Sequence, residues 1–343
     1  MPEEYLLERA IAKRARADRE AAILKTSYDS IWNYLEANYY PWVQANCPYF
    51  TDHGEAHIRS VINSAGELSQ KWLEFKKGQP YLTALDIYLI LTAILWHDVG
   101  MVIDRATHAE LVYKMTDEVS EFFPNPPVKN LVSRIAQAHK GASSLNSLKV
   151  DDLCTIKGSA YTVNTAMLAA IVRFADEISE NHTRASRQVL ATVPEDQKIY
   201  WLYALSVASC IAVPKRERVV VDYQFDADKV VSRWPDRDFE SFRSPEDKKI
   251  DVLTYALCRL EKMNNEREYC LRNFIAIAPI REIEARFSII KDGRPLAGFE
   301  PQAIILKGGG MDAGGYPSIP IVRDFFNNHP SWKIEAVVGA IGT

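Results

Sequence analysis

The chain has 343 residues, 47% hydrophobic and 25% charged, an ordinary globular composition. That excludes a disordered chain, a collagen-like chain and a disulfide miniprotein, and allows one large domain or two modest ones. With 41 Lys+Arg against 45 Asp+Glu, the net charge of −4 argues against bulk electrostatic binding of nucleic acid, although a local basic patch stays allowed.

The first 200 residues read as mostly helical. Tyr5–Leu24 is rich in Ala, Arg and Glu and has good helix propensity. Met1–Lys25 has no apolar core and is not expected to be a signal peptide. Ser27–Ala45 places Ile31, Tyr34, Leu35 and Tyr39 at helical spacing. Asp52–Trp72 predicts a third helix, with Ile58, Val61, Ile62 and Ala65 on its apolar face. Ala84–Val99 is apolar nearly all round, as a central core helix should be. The most apolar stretch, Leu85–Ile103, contains His97 and Asp98, which a lipid-exposed span would not tolerate cheaply. A buried helix in a soluble, cytoplasmic protein without a membrane partner is therefore expected. Phe122–Pro127 predicts a loop, and Val128–His139 and Asn164–Glu180 predict two more helices.

The character changes near residue 200. Ser206–Val213 and Arg218–Phe225 are β-rich and predict a hairpin. Ser244-Pro245-Glu246-Asp247 reads as a helix start, followed by Ile250, Leu253, Leu257, Leu260 and Met263 on one stripe. Glu284–Ile290 and Arg294–Leu306 flank a Lys-Asp-Gly turn and predict a second hairpin. Gly308–Gly315 lacks the Gly-Lys-Ser/Thr ending of a phosphate loop and reads as a plain loop. The organisation expected is a helical domain over 1–200 and an α+β accessory region over 201–343, with a soft boundary. The five cysteines, Cys47, Cys154, Cys210, Cys258 and Cys270, are scattered and form no C-x-x-C pair. They point to a reducing compartment and to no cysteine-based zinc site.

Six of the seven histidines fall between residues 53 and 182. His53 and His57 are four apart, which on a helix puts both rings on one face; alone, the pair reads equally well as two surface histidines. His97-Asp98 ends the most apolar segment, where a carboxylate calls for a cation or for a helix end to cap. Asp176 extends the row Leu168, Val172, Asp176, and calls for a cation or for pairing with Arg173 or Arg184. His108 and His139 lie between these elements, and singly each reads as a helix-terminal histidine.

Together these residues resemble the HD-domain superfamily of metal-dependent phosphohydrolases over about residues 30–190. The match is His57 in His57-Ile58-Arg59-Ser60-Val61, then His97-Asp98 followed by Val99-Gly100, then Asp176 in the run from Val172 to Arg184. The order agrees, with 40 residues from His57 to His97 and 78 from Asp98 to Asp176. The resemblance implies a mainly α fold, an HD-type helical bundle with each ligand on a helix. It implies that His57, His97, Asp98 and Asp176 bind one divalent ion. His108 and His139 match positions used in some branches for a second ion or for phosphate. His53 matches a proton-donating histidine of cyclic-nucleotide phosphodiesterases, although Gly54 replaces the asparagine of those enzymes. The Asp-His-Gly-x-x-His form is closer to a bacterial defence-associated subgroup, which implies a partner protein encoded in a defence operon.

A ligand set of His and carboxylate suits Mn²⁺, Mg²⁺, Fe²⁺, Ni²⁺ or Zn²⁺, as one ion or two. Such an ion lowers the pKa of water from about 15.7 towards about 7. Asp98 would orient that water, and His53, His108 or His139 would protonate the leaving group. Arg59, Arg105, Lys140 and Arg184 are candidates to neutralise phosphate, each of them equally a solvated cation when taken alone. The expected activity is nucleotide phosphohydrolysis, with (deoxy)nucleoside triphosphates ahead of cyclic nucleotides or oligonucleotides. A catalytically silent, nucleotide-sensing module is the reading from outside enzymology. A homo-oligomer is expected from the resemblance alone.

Overall fold

The computed structural model describes residues 5–46, 49–79, 81–141, 144–239, 248–274, 279–307 and 321–341. Helix α1 (Leu6–Ala15) stops short of the expected Leu24. Asp18 Oδ1 accepts the Ala21 N–H at 2.9 Å and so caps a new helix, α2 (Arg19–Asn38). Because α2 runs through Ser27, the break falls earlier than the sequence pattern indicated. A second break at Tyr39 leads into α3 (Tyr40–Asn46), which carries Pro41 in its first turn.

Helix α4 (Glu55–Ser69) begins three residues later than expected, with Gly54 as its N-cap. Helix α5 (Ala84–Trp96) opens with a reciprocal cap: Thr83 Oγ1 accepts the Asp86 N–H, and Asp86 Oδ2 accepts the Thr83 N–H. Every residue from Leu85 to Trp96 is buried, and α5 packs against α1, α2 and α4. The run Ala84–Val102 is long and apolar enough to cross a membrane, but 89% of it is buried here as the central core helix. Helix α6 (His108–Asp117) and helix α7 (Pro126–Gln137) follow. The second starts inside the expected loop, because Asn125 Oδ1 accepts the Val128 N–H and Pro126 needs no donor in a first turn.

The connection from α7 is not wholly helical. Strands β1 (Asp152–Ile156) and β2 (Ser159–Val163) form an antiparallel hairpin, with Lys157 and Gly158 both at positive φ. Asn164 then caps α8 (Thr165–Glu177), which ends three residues before the expected Glu180. Helix α9 (Lys198–Ser206) contains residue 200, so the division at 200/201 falls inside an element.

Strands β3 (Val207–Val213) and β4 (Arg218–Asp226) form the expected hairpin. Helix α10 (Ala227–Val230) and the short antiparallel pair β5 (Arg233–Pro235) and β6 (Lys249–Asp251) lead to α11 (Val252–Phe274). Ile250 therefore belongs to β6, while Leu253, Leu257, Leu260 and Met263 form the buried stripe of α11. Strand β7 (Glu282–Lys291) runs parallel to β4. The second expected hairpin is split: β8 (Arg294–Pro295) and β9 (Gln302–Lys307) pair separately and antiparallel with β7. Alternation buries one sheet face, on which Tyr223 stacks against Phe287 at 5.4 Å. Helices α12 (Ile321–Asn328) and α13 (Ile334–Ile341) close the chain. The expected helix start at Ser244–Asp247 and the loop at Gly308–Gly315 lie outside the described residues.

Helix α11 joins the two halves by packing along α8. Arg173 on α8 is 5% exposed and pairs with Glu266 on α11 at 2.7 Å. Arg259 on α11 reaches Glu180 at 2.7 Å and Glu177 at 3.3 Å. The mainly α bundle with a C-terminal α+β region is thus the observed architecture.

Candidate metal centre

Five helix ends and one tight turn converge. Helix α4 supplies His57 from its first turn and α6 supplies His108 from its first residue. His97 is the C-cap of α5, and Asp98 leads into a 3-10 turn at Val99–Val102, so this pair sits where the helix tightens rather than on its face. His139 lies just past α7, and Asp176 stands in the last turn of α8.

The six side chains form two groups, His57 with His97 and Asp176, and Asp98 with His108 and His139; within each, the ligand atoms lie within 4.8 Å of one another. Asp98 joins the groups. Its Oδ2 is 3.2 Å from His97 Nε2 and 3.6 Å from His57 Nε2, while its Oδ1 is 3.4 Å from His108 Nε2 and 3.7 Å from His139 Nε2. Asp176 Oδ1 is 3.1 Å from His57 Nε2 and 3.6 Å from His97 Nε2.

Backbone carbonyls orient three of the rings. The Nδ1–H groups of His97, His108 and His139 donate to Ile94 O (2.8 Å), Arg105 O (2.6 Å) and Ala136 O (2.6 Å). Each Nε2 then points into the cluster and offers its lone pair once deprotonated, as a metal-binding imidazole requires; on His97 the neighbouring carboxylates hold a proton there until a cation displaces it. Two such lone pairs, on His108 and His139, face each other at 3.0 Å. That contact is repulsive unless a proton or a cation lies between them. Both ring nitrogens of His57 and Nε2 of His97 are buried without a hydrogen bond among the described residues.

The electrostatics agree. Burial opposes charge on His97, but Asp98 and Asp176 outweigh it and raise its pKa well above the usual value. Burial likewise opposes charge on both aspartates, yet His97 beside Asp98, and His57 with His97 beside Asp176, hold these carboxyls well below the usual range. Two ionised carboxylates among four imidazoles make an oxygen and nitrogen donor set suited to hard or borderline divalent ions. The residues present therefore fit a bound metal. Neither group contains a cysteine, and Cys154, Cys210, Cys258 and Cys270 are free thiols.

The remaining sequence candidates divide. His53 is not on the helix face with His57; it precedes α4, although its ring still lies 5.5 Å from that of His57. Its Nδ1–H donates to Thr51 O at 2.5 Å, and its Nε2 accepts from Arg184 Nη2 at 3.1 Å. Burial and then the Arg184 charge push its pKa down to about 3. Arg184 is further held by the Asp52 carbonyl and by Glu180. Lys140 follows His139 and donates to Ala106 O at 2.8 Å. Arg105 lies with its guanidinium 3.8 Å over the Phe50 ring, and its carbonyl orients His108. Arg59 is not brought to the cluster. Two residues along a helix point to nearly opposite faces, and Arg59 pairs with Glu55 at 2.7 Å over the Trp32 ring.

Asp176 is the most open ligand, with a side chain 28% exposed. It opens with His139 and Lys140 into a pocket of about 440 Å³, whose far wall is Lys262, Asn265 and Glu266 of α11. Sequence reading missed this wall. The signal was there in Arg259, Lys262 and Glu266, spaced three and four apart along one side of α11.

A family model described as HD-CE matches residues 47–240, more than half of the chain. No curated protein and no solved structure matches. The matched segment contains all six ligand candidates together with His53 and Arg184, and it ends before α11. On this match and this geometry, the chain belongs to the HD-CE family, with two His/Asp groups able to hold metal ions.

Proposed function

We propose that this protein is a metal-dependent phosphohydrolase acting on nucleotides, with (deoxy)nucleoside triphosphates as the first substrates to test. The observation that carries the reading is the convergence of four imidazoles on two carboxylates, with lone pairs facing inward and buried nitrogens unpartnered. A divalent ion bound there polarises phosphoryl oxygen and lowers the pKa of water at the site. His57, His97 and Asp176 would hold one ion and Asp98, His108 and His139 a second.

The chain's own residues supply the rest. Lys140 and Lys262 line the pocket beside Asp176 and would meet phosphate oxygens, Lys262 by exchanging its present partner Glu177 at 3.2 Å. Asp98 reaches both groups and so fixes their separation. In this arrangement His53 carries no proton on Nε2 to donate, because that nitrogen accepts from Arg184; the pair acts by position. A cyclic-nucleotide or oligonucleotide phosphodiesterase is the second reading, favoured by the place of the His53 ring beside His57; since Nε2 of His53 is taken by Arg184, the leaving group's proton would then have to come from water.

The test is a nucleotide panel assayed with Mn²⁺, Mg²⁺, Fe²⁺, Ni²⁺ and Zn²⁺, with products resolved and metal content measured. Release of triphosphate supports the first reading; a linear monophosphate from a cyclic substrate supports the second. Metal-loaded protein that binds nucleotides but turns none over would identify a silent sensor instead.

A further inference from the structure

Away from the metal centre, α9, β4, α10 and β5 enclose a cavity of about 300 Å³ that shares no residue with the His/Asp groups. That volume is at the lower bound of ordinary small-molecule sites. A neighbouring cavity of about 480 Å³ shares Arg187, Leu205 and Gln224 with it, so the two adjoin.

The walls are apolar: Leu190, Leu202, Leu205 and Phe225. Three cations, Arg187, Lys198 and Lys229, stand around these walls. Among the described residues none of the three pairs with a carboxylate; the Lys198 ammonium lies over the Trp234 ring at 5.3 Å. The one carboxylate of the lining, Asp226, is engaged by the Asp228 N–H at 3.0 Å as the cap of α10. Trp234 also lines the cavity, and its indole N–H is buried without an acceptor. Unpaired cations and an orphan donor beside an apolar wall specify a complement: an acidic group attached to an apolar body.

We propose that this cavity is a binding site for a small organic anion with an apolar, ring-sized body. The acid group meets Lys198, Lys229 and Arg187, and the body lies on Leu202, Leu205 and Phe225. The segment that lines one side of it, around Arg187, begins three residues after Arg184, which holds His53.

The experiment is a fluorescence titration of the full chain with 1-anilinonaphthalene-8-sulfonate and with N-phenyl-1-naphthylamine, the same ring body without the acid. The sulfonate should saturate one site. Its affinity should fall about a hundredfold or more in Lys198→Gln/Lys229→Gln, since two charge-assisted contacts are lost, each worth about tenfold or more. It should be lost in Ala191→Trp, which fills the cavity from an exposed rim position. The neutral amine should bind at least about tenfold more weakly and ignore the lysine substitutions. Equal affinity for the two probes, or sulfonate binding unchanged in the lysine variant, overturns the proposal. The lysine variant removes two charges and leaves the apolar walls in place, so its result stands even where Ala191→Trp does not fold.

Discussion

Asp98 is the residue on which both halves of the site depend, since one carboxylate oxygen faces each group. Replacing it by Asn keeps the shape and removes the charge. Losing even the partner of a metal ligand costs about 10–100-fold in affinity, so Asp98→Asn should lose at least about 10²-fold in metal binding, and hydrolysis with it. His53→Ala should lower turnover but leave metal content unchanged, because His53 touches Arg184 and Thr51 rather than the groups themselves. Elemental analysis of the two variants separates these roles; equal metal loss in both would refute the assignment. The same histidines set an acid limit. Burial first, then neighbouring positive charge, pushes His53 down to about 3 and His139 to about 4 in the metal-free protein. An unfolded histidine titrates near 6.5. As pH falls through about 6.5, the unfolded chain binds protons that these two native rings refuse, so stability declines towards their folded values. His97, raised well above its usual value, is protonated in both states below that point and adds no slope there. Each lowered histidine contributes at most about 1.4 kcal/mol per pH unit, less for His53, which is only partly buried. Thermal midpoints of chelator-treated protein should therefore drop steadily from pH 6.5 to 5; a flat profile contradicts the buried, neutral state of these rings.

Elements hold these residues through a few tight contacts, and Gly100 makes the tightest. A Cβ there would meet His108 O at 2.2 Å and its carbonyl carbon at 2.8 Å. The 3-10 turn after Asp98 can pass under the start of α6 only because this residue is glycine. Gly100→Ala must push α6 outward, carrying His108 away from Asp98. The expected cost is about 1–3 kcal/mol of stability, and loss of the second ion before the first. Denaturant melts and metal stoichiometry check this; a variant of normal stability that still binds two ions would show that the turn yields easily. The pattern of residues made this turn legible, as His97-Asp98-Val99-Gly100, and it made the central helix legible because no face of α5 is polar. Caps explain where the reading slipped. Asp18, Gly54 and Asn125 each set a helix start that apolar periodicity alone cannot locate. The β1–β2 hairpin escaped because its strands are short and mostly exposed on one side, so Lys157-Gly158 was its best signal. His108 and His139 were legible as second-ion or phosphate candidates only through the family resemblance, and singly read as helix-terminal histidines. Their meeting depends on the packing of α6 against α7, which no local spacing encodes.

At the scale of the whole molecule, a chain of net charge −4 is proposed to bind a polyanion. Bulk attraction cannot supply that, so the positive charge would have to be local, chiefly from bound ions and Lys140, because Lys262 is already paired with Glu177. Metal binding is then also a folding term. The ligands come from α4, α5, α6, α7 and α8, which are brought together only in the native chain. An ion that binds the native state alone adds about 4.1 kcal/mol when present at a thousand times its dissociation constant. For a chain of 343 residues, with an unfolding entropy of about 2.1 cal/mol/K per residue, that raises the thermal midpoint by about 6 °C. Chelation should remove the increment, and returning the preferred ion should restore it in proportion to the logarithm of its concentration. Asp98→Asn should show a much smaller rise under the same titration, because the amide offers one neutral oxygen where the carboxylate offers two anionic ones, one to each group. Differential scanning calorimetry across an ion series reads all three. A midpoint indifferent to chelator, or a full rise in Asp98→Asn, would mean that the convergence of these helix ends is held by imidazole and carboxylate alone.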